Sequence, residues 1–454
     1  MRNERPTIKL FSDFGTENKV DEEHLECSSF VGLRVSQNVI ELHYPETCPP
    51  SFLARRWASQ EKSLPNLSVN LESFSSDELL ELRRYICLIL HPISLLDERN
   101  IVSDFFDNTG KTNKENDPIL SCLWLLDDYS RNGVPKQRNR VFQNDKGKSI
   151  SWSKTTKTQA FIADDRLFYP HLIFSNIRWE ESLITSLYLF CVKRSAKFLG
   201  WLFGLSESMV EVADIDEKHL EDYSLFLLSV LSKTFNEQKR IRLKHMLAVL
   251  KGPAAKTRSD VLNYGTFNFN LVFEKMATLY FSNVGEGDKE KLFPRAEWHY
   301  QTNPEGVPSS ALEPDTLRID HQDELLILDS KYYRYGSSPA TQSVEKQFTY
   351  ADHACRYGSK LNNGRPFRRI DSVFLLPFTS NDPHSSYQYF GYAKAPWRAN
   401  TESVIMPFII GFYVDLGYLL HNYEKPSADD VNRFVGAIKT SSEMVRGLIN
   451  ERHA

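Results

Sequence analysis

The sequence predicts a mixed α/β (α+β) chain, with an N-terminal β module and a helical bridge ahead of a C-terminal α/β domain. Three observations predict it. Between Phe30 and Tyr44 apolar residues alternate with polar ones, as on the strands of a hairpin. Between residues 180 and 250 they recur at helical spacing. The unbroken apolar run Leu325–Leu328 stops on Asp329-Ser-Lys331, which reads as a strand buried on both faces and charged at its end. The expected divisions are residues 1–70 for the β module, 71–255 for a mixed, largely helical bridging region, 256–425 for the α/β domain and 426–454 for a C-terminal helix.

Bulk properties narrow the class. At 454 residues the chain has room for two or three domains. A hydrophobic content of 41% and a charged content of 25% are those of a globular protein. The net charge of −4 excludes a globally basic polyanion binder but leaves room for local basic patches. Cys27, Cys48, Cys87, Cys122, Cys191 and Cys355 are scattered with no Cys-x-x-Cys pair, which argues against a zinc site or disulfide framework and fits a reducing cytoplasm. A polar, charged start through Lys19 predicts no signal peptide. The most apolar segment, residues 183–203, contains Lys193, Arg194 and Lys197, so a packed helix is expected there and no membrane span.

Taken in order, the polar first 25 residues predict a mobile start. Phe30 to Tyr44 predicts a hairpin turning at Ser36-Gln-Asn38, ended by Pro45, Pro49 and Pro50. Ser75-Ser-Asp-Glu78 is a capping box, and the helix it opens is expected to stop at His91 before Pro92. Residues 118–129 predict a short buried helix. Residues 131–157 read as a basic loop, with Arg131, Lys136, Arg138, Arg140, Lys146, Lys148, Lys154 and Lys157 against Asp145. Within it Lys148, Lys154 and Lys157 suit phosphate contact, and Trp152 suits either base stacking or a core. Helices are expected over 180–203 and 220–250, a break at Gly252-Pro253 and a linker over 254–260. A helix over 268–281 carries Glu274, and another opens at Glu345 with Gln347 and Tyr350. Arg356, Lys360, Arg365, Arg368 and Arg369 form a second basic cluster, suited to backbone contact. Strands over 372–378 and 404–414 and a helix over 429–451 complete the chain.

The chemistry concentrates between Glu313 and Tyr333. Thr316 to Asp320 and Leu325 to Leu328 form a hairpin about the polar turn 321–324. Asp329 and Lys331 are two apart, so on a strand they point to one face. Asp315, at the start of the other strand, folds back beside them. Mg²⁺ takes oxygen ligands, typically one or two carboxylates completed by water and phosphate. Asp315, Asp329 and the Ser330 carbonyl offer that set, and Lys331 offers charge toward a phosphate and its attacking water. The plain alternative is an edge hairpin with an Asp–Lys surface pair of little energetic weight.

Pro314-Asp315 and Asp329-Ser-Lys331 resemble the motif of the PD-(D/E)xK nuclease superfamily. The resemblance implies a restriction-endonuclease-like domain with Asp315, Asp329 and Lys331 as catalytic residues. It also implies supporting roles for Glu274, near metal or bound water, and Gln347. Gln347 and Tyr350 stand three residues apart where the exonuclease branch has four, which speaks against an exonuclease. Gly147-Lys-Ser-Ile-Ser-Trp-Ser-Lys-Thr155 and Leu167-Phe-Tyr-Pro170 further resemble the LlaJI family of restriction endonucleases, with Ser151 where asparagine is expected. Phe30-Val-Gly32, Leu243-Lys-His-Met246 and the Asp329-Ser-Lys-Tyr-Tyr333 end fit that family too. This implies a phage-defence protein acting on double-stranded DNA, in some members beside an McrB-like AAA+ NTPase. The chain holds no Gly-x-x-x-x-Gly-Lys-Ser/Thr loop of its own.

The leading expectation is therefore a Mg²⁺-dependent DNA endonuclease leaving 5′-phosphate ends. The alternative is a DNA-recognition or assembly subunit that cuts only with the NTPase partner. A hydrolase for small phosphate esters would use the same acids but leaves two basic clusters without a purpose. Cutting two strands needs two active sites or two events, which leaves a homodimer open.

Overall fold

The computed structural model describes residues 7–13, 30–35, 39–50, 66–70, 74–96, 102–103, 118–135, 137–146, 149–163, 166–180, 182–211, 215–251, 262–301, 303–310, 312–321, 323–380, 386–396 and 408–451. Its first element departs from expectation. Thr7–Ser12 forms a strand, β1, inside the stretch read as mobile. Ile8 and Leu10, two apart on one face, are fully buried, a pattern too short to stand out from the polar residues before and after the strand. β2 (Val31–Val35) and β3 (Val39–Tyr44) pair antiparallel as expected, while β1 pairs parallel with β3 and antiparallel with β4 (Asn66–Asn70). The turn expected at 36–38 lies outside the described residues. Helix α1 (Ser76–Ile93) starts on the expected capping box, with the Ser75 hydroxyl accepting from the Glu78 amide and Glu78 accepting from the Ser75 amide. It runs one residue past Pro92 and is followed by β5 (Val102–Ser103).

Residues 105–259 make a compact unit of their own. Its elements are α2 (Pro118–Asn132), β6 (Gln137–Asn144), β7 (Ser149–Ile150), α3 (Trp152–Thr155), β8 (Phe161–Ala163), β9 (Arg166–Phe168), β10 (Ile173–Glu180), α4 (Leu183–Leu199), α5 (Leu220–Ser232) and α6 (Glu237–Lys251). The segment read as a basic loop contains β6 and β7, which flank β10 in an antiparallel sheet, while β8 and β9, after that segment, form a separate ribbon. The helix expected over 220–250 is two helices. Arg240 on α6 reaches back to the Leu231 and Thr234 carbonyls, which satisfies the end of α5. The core is pinned by buried Asp128, which accepts from Arg242 at 2.8 and 3.0 Å and from Tyr188 at 2.9 Å. Arg242, read as part of a basic helix face, is therefore a structural partner. The linker expected over 254–260 lies outside the described residues.

The rest of the chain joins the front strands in the other unit, residues 1–104 with 260–454. β11 (Leu262–Thr266) inserts between β2 and β5, giving a six-stranded sheet in the order β4-β1-β3-β2-β11-β5. Gly265 faces Gly32 in that pairing. A Cβ on Gly265 would lie 2.4 Å from the Phe30 ring, so the ring can cover only a glycine there. The front strands thus group with the residues after 260, and the two units divide at 104/105 and 259/260.

After β11 come α7 (Phe269–Phe281), α8 (Glu286–Leu292), the ribbon β12–β13 (Glu297–Tyr300 and Asn303–Pro308), β14 (Thr316–Asp320) and β15 (Glu324–Ser330). Then follow α9 (Thr341–Tyr357), β16 (Arg369–Phe378), β17 (Tyr387–Lys394), β18 (Phe408–Asp415), α10 (Leu416–Asn422) and α11 (Ala428–Glu451). A five-stranded sheet runs β14-β15-β16-β18-β17, parallel across β15, β16 and β18 and antiparallel at both edges. Every residue of β15 is buried, as a strand covered on both faces must be. α9 covers one face with Tyr350, Ala351 and Ala354 against Leu325, Ile327 and Ile370. On the other, α7 packs on β14 and β15, and α11 on β16, β17 and β18. Among the described residues no helix is long and apolar enough to cross a membrane.

Candidate active site

The hairpin register builds the site. Thr316 pairs with Leu328, so the residue before one and the residue after the other, Asp315 and Asp329, come opposite each other where β15 ends. Asp315 is pinned there: its Oδ2 accepts the Ser330 amide at 2.7 Å. Its carbonyl accepts from Thr278 Oγ1 at 3.1 Å and from Lys289 Nζ at 2.9 Å. Alternation along β15 puts Lys331 on the face of Asp329, and its Nζ lies 2.8 Å from Asp329 Oδ2. The Lys331 amide continues the sheet by donating to Leu375 O at 2.8 Å.

The electrostatics follow from two buried acids side by side. Burial, and then the Asp329 charge, raise the Asp315 carboxyl to about 7. Burial works against the Lys331 ammonium, but Asp329, Asp315 and Glu274 outweigh it and hold the proton more firmly than usual. The Tyr350 phenol is pushed up by burial and by the charge of the same two aspartates. Glu274 is half-buried on α7, one turn before the Thr278 that holds Asp315 and Thr316. Gln347 is fully buried on α9; its amide donates to the Ile327 and Val373 carbonyls at 3.0 and 3.2 Å, tying that helix to β15 and β16.

Asp315, Asp329, Ser330, Lys331 and Glu274 thus meet at one end of the sheet, with Gln347 behind them. The second basic cluster does not join them. Arg368 and Arg369 sit where β15 and β16 begin, roughly 17 Å along the strand from Asp329. Arg368 pairs with Asp323 at 3.2 Å and Glu324 at 2.5 Å. Arg369 pairs with buried Asp371 at 2.5 Å and with Glu443 at 3.0 Å. Of these arginines, expected as DNA contacts, Arg369 is mostly buried in its ion pairs, Arg368 remains 69% exposed beside its own, and Arg365 lies exposed at the same far end. In the other unit Trp152 is 57% exposed, Lys154 lies 3.6 Å over the Phe142 ring and Lys157 is exposed. Lys148 lies outside the described residues.

Sequence reasoning missed Lys289, which sits in the charged run Glu286-Gly-Asp-Lys-Glu-Lys291 and looks solvated, yet is 5% exposed and bonded to Asp315. Among the described residues no group of three or more His, Cys, Asp or Glu is arranged to hold a metal. The oxygen pair itself fits a hard divalent cation. Two facing buried carboxylates raise each other's cost of ionisation, and a cation bound through oxygen with water and phosphate relieves that cost.

A family model described as LlaJI restriction endonuclease matches residues 67–413. No curated protein matches the chain. Among solved structures, the chain is similar to one from a half-complex of a tetradecameric assembly of Thermococcus gammatolerans McrB AAA+ hexamers with bound McrC. The identity is 14% and the TM-score 0.34, over 87% of this chain and 81% of that one.

Proposed function

The chain belongs to the LlaJI restriction endonuclease family, and on that premise we propose that it hydrolyses DNA phosphodiester bonds with Mg²⁺ at the end of β15. The observation that carries the reading is the register that sets Asp315 opposite Asp329 with Lys331 at 2.8 Å on the same face. Asp315, Asp329 and the Ser330 carbonyl would hold the ion. Mg²⁺, when bound, supplies electrophilic stabilisation of the phosphate and acidifies water. The chain's own groups do the rest. Lys331, held as an ammonium by its acidic neighbours, offsets negative charge as water attacks phosphorus in line and the bond to the 3′ oxygen breaks. The Ser330 amide keeps Asp315 from rotating, and Glu274 orients water from the α7 side. Gln347 acts through the strands it ties together. Trp152, Lys154 and Lys157 supply contacts to the DNA, with Lys148 expected beside them. Restriction of invading DNA is the cellular role this activity serves.

One observation favours a second reading. Phe161, Ile162, Leu167 and Phe168 are exposed on both faces of the β8–β9 ribbon, more apolar surface than contact with a DNA backbone uses. In that reading the chain is the recognition or assembly subunit, and cutting waits on an AAA+ NTPase. The test is purified protein on unmethylated duplex DNA with Mg²⁺ or EDTA, beside Asp329→Ala. Mg²⁺-dependent fragments, absent with the variant, are expected. Cutting that needs added NTPase and nucleotide would select the second reading, and undiminished cutting by Asp329→Ala would sink the site assignment.

A further inference from the structure

We infer that Asp13, at the end of β1, is a positioning residue for Lys331 and acts through Tyr332. The inference rests on the nuclease reading of the same site. The Lys331 amide carries the sheet bonding one residue past β15, donating to Leu375 O. The chain then turns sharply, with the Tyr333 amide donating to the Lys331 carbonyl at 3.1 Å. Tyr332 sits at the apex of that turn. Its ring is buried against Phe269 and Phe273 of α7, with centroids at 5.4 and 6.0 Å. Its hydroxyl donates to Asp13 Oδ2 at 2.6 Å.

Asp13 is in turn fixed from the front sheet. Its Oδ1 accepts the Glu46 amide at 2.7 Å, and its own amide donates to Tyr44 O at 3.0 Å. It is 2% exposed, and burial pushes its carboxyl up to about 7. A buried acid is costly to keep, and here its oxygens take one donor from the β3 end and one from the residue after the lysine. Aromatic packing alone lets a tyrosine ring slide along the groove between two phenylalanines. The hydroxyl bond fixes its depth, and with it the backbone on the C-terminal side of Lys331. The front strands thereby enter the construction of a site more than 300 residues away, with Asp13 and Tyr332 separated by 319 positions.

The test compares Tyr332→Phe and Asp13→Asn with wild type and with Asp329→Ala, in the full-length protein. Because a 1 Å displacement of a catalytic group can cost about a hundredfold, kcat on duplex DNA should fall at least about tenfold in both variants. KM and DNA affinity in EDTA should stay within about twofold, since no DNA contact is removed. A second arm does not depend on cleavage. Lys331 is labelled with an amine-acylating reagent and quantified by mass spectrometry against exposed Lys346. Loosening should raise Lys331 labelling several-fold in both variants while Lys346 stays constant. If Asp329→Ala still cuts, the nuclease reading fails, and the labelling arm alone decides the positioning role. If Asp329→Ala is dead but both variants keep wild-type kcat and labelling, the positioning role is overturned. It is also overturned if kcat falls only in proportion to the folded fraction and returns on cooling.

Discussion

The two ends of the five-stranded sheet use the same residue types to opposite effect. Where β15 begins, each acid has a base against it. Glu324 is bound by Lys439 and Arg368, and Asp371 by Arg369 at 2.5 Å and the Ser442 hydroxyl at 2.7 Å. Asp320 meets Lys439 at 2.5 Å. Burial works to raise the Glu324 carboxyl, yet Lys439, Arg368 and Arg369 hold it below its ordinary value. Where β15 ends, Asp329 takes Lys331 and Asp315 receives an amide, and the Asp315 carboxyl rises to about 7. A balanced cluster locks α11 to the sheet. On the proposed reading the acid-rich one takes a further cation, and that would separate a site from a clamp.

Removing an acid from each end tests the contrast. Asp329→Ala should lower cleavage by at least about a hundredfold, the scale of losing a central electrostatic group. Its denaturation midpoint in EDTA should move less than that of Asp371→Ala. For Asp371→Ala the order reverses: cutting persists, and stability falls by about 3 kcal/mol because Arg369 is left half-buried with only Glu443 and a carbonyl. Denaturant titration of both variants reads this, and equal losses would dissolve the distinction.

A smaller effect concerns pH. The Asp13 carboxyl ionises at about 7 in the folded chain and near 4 when unfolded, so folding takes up a proton between those values. Stability relative to Asp13→Asn should therefore fall as pH rises from about 4 to about 7 and level off above it. Parallel stability curves for the two proteins would refute the shift. The smallest change is expected from Arg368→Ala, whose side chain is 69% exposed. It should cost at most about 1 kcal/mol, and a larger loss would mean the far-end network is more cooperative than its exposure suggests.

Much of the candidate site's geometry was readable from local pattern. Asp315, Asp329 and Lys331 follow from a hairpin whose turn and apolar run fix its register over a few residues, because alternation ties side-chain direction to sequence number. The helix carrying Glu274 and the capping box at Ser75 are local in the same way. Residues whose roles depend on distant partners were not readable. Arg369 and Arg242 look like solvated charge until Asp371 and Asp128 are brought to them by folding. Lys289 sits in a charged run and Asp13 in a polar leader, and only long-range packing buries them against Asp315 and Tyr332. Residues 105–259 fall between strands that share one sheet, and no periodicity in the chain signals that residues 262–266 return to pair with 31–35. Periodicity reports which face of an element is buried. Which element covers that face, and which charge lies against which, depends on contacts between residues hundreds of positions apart.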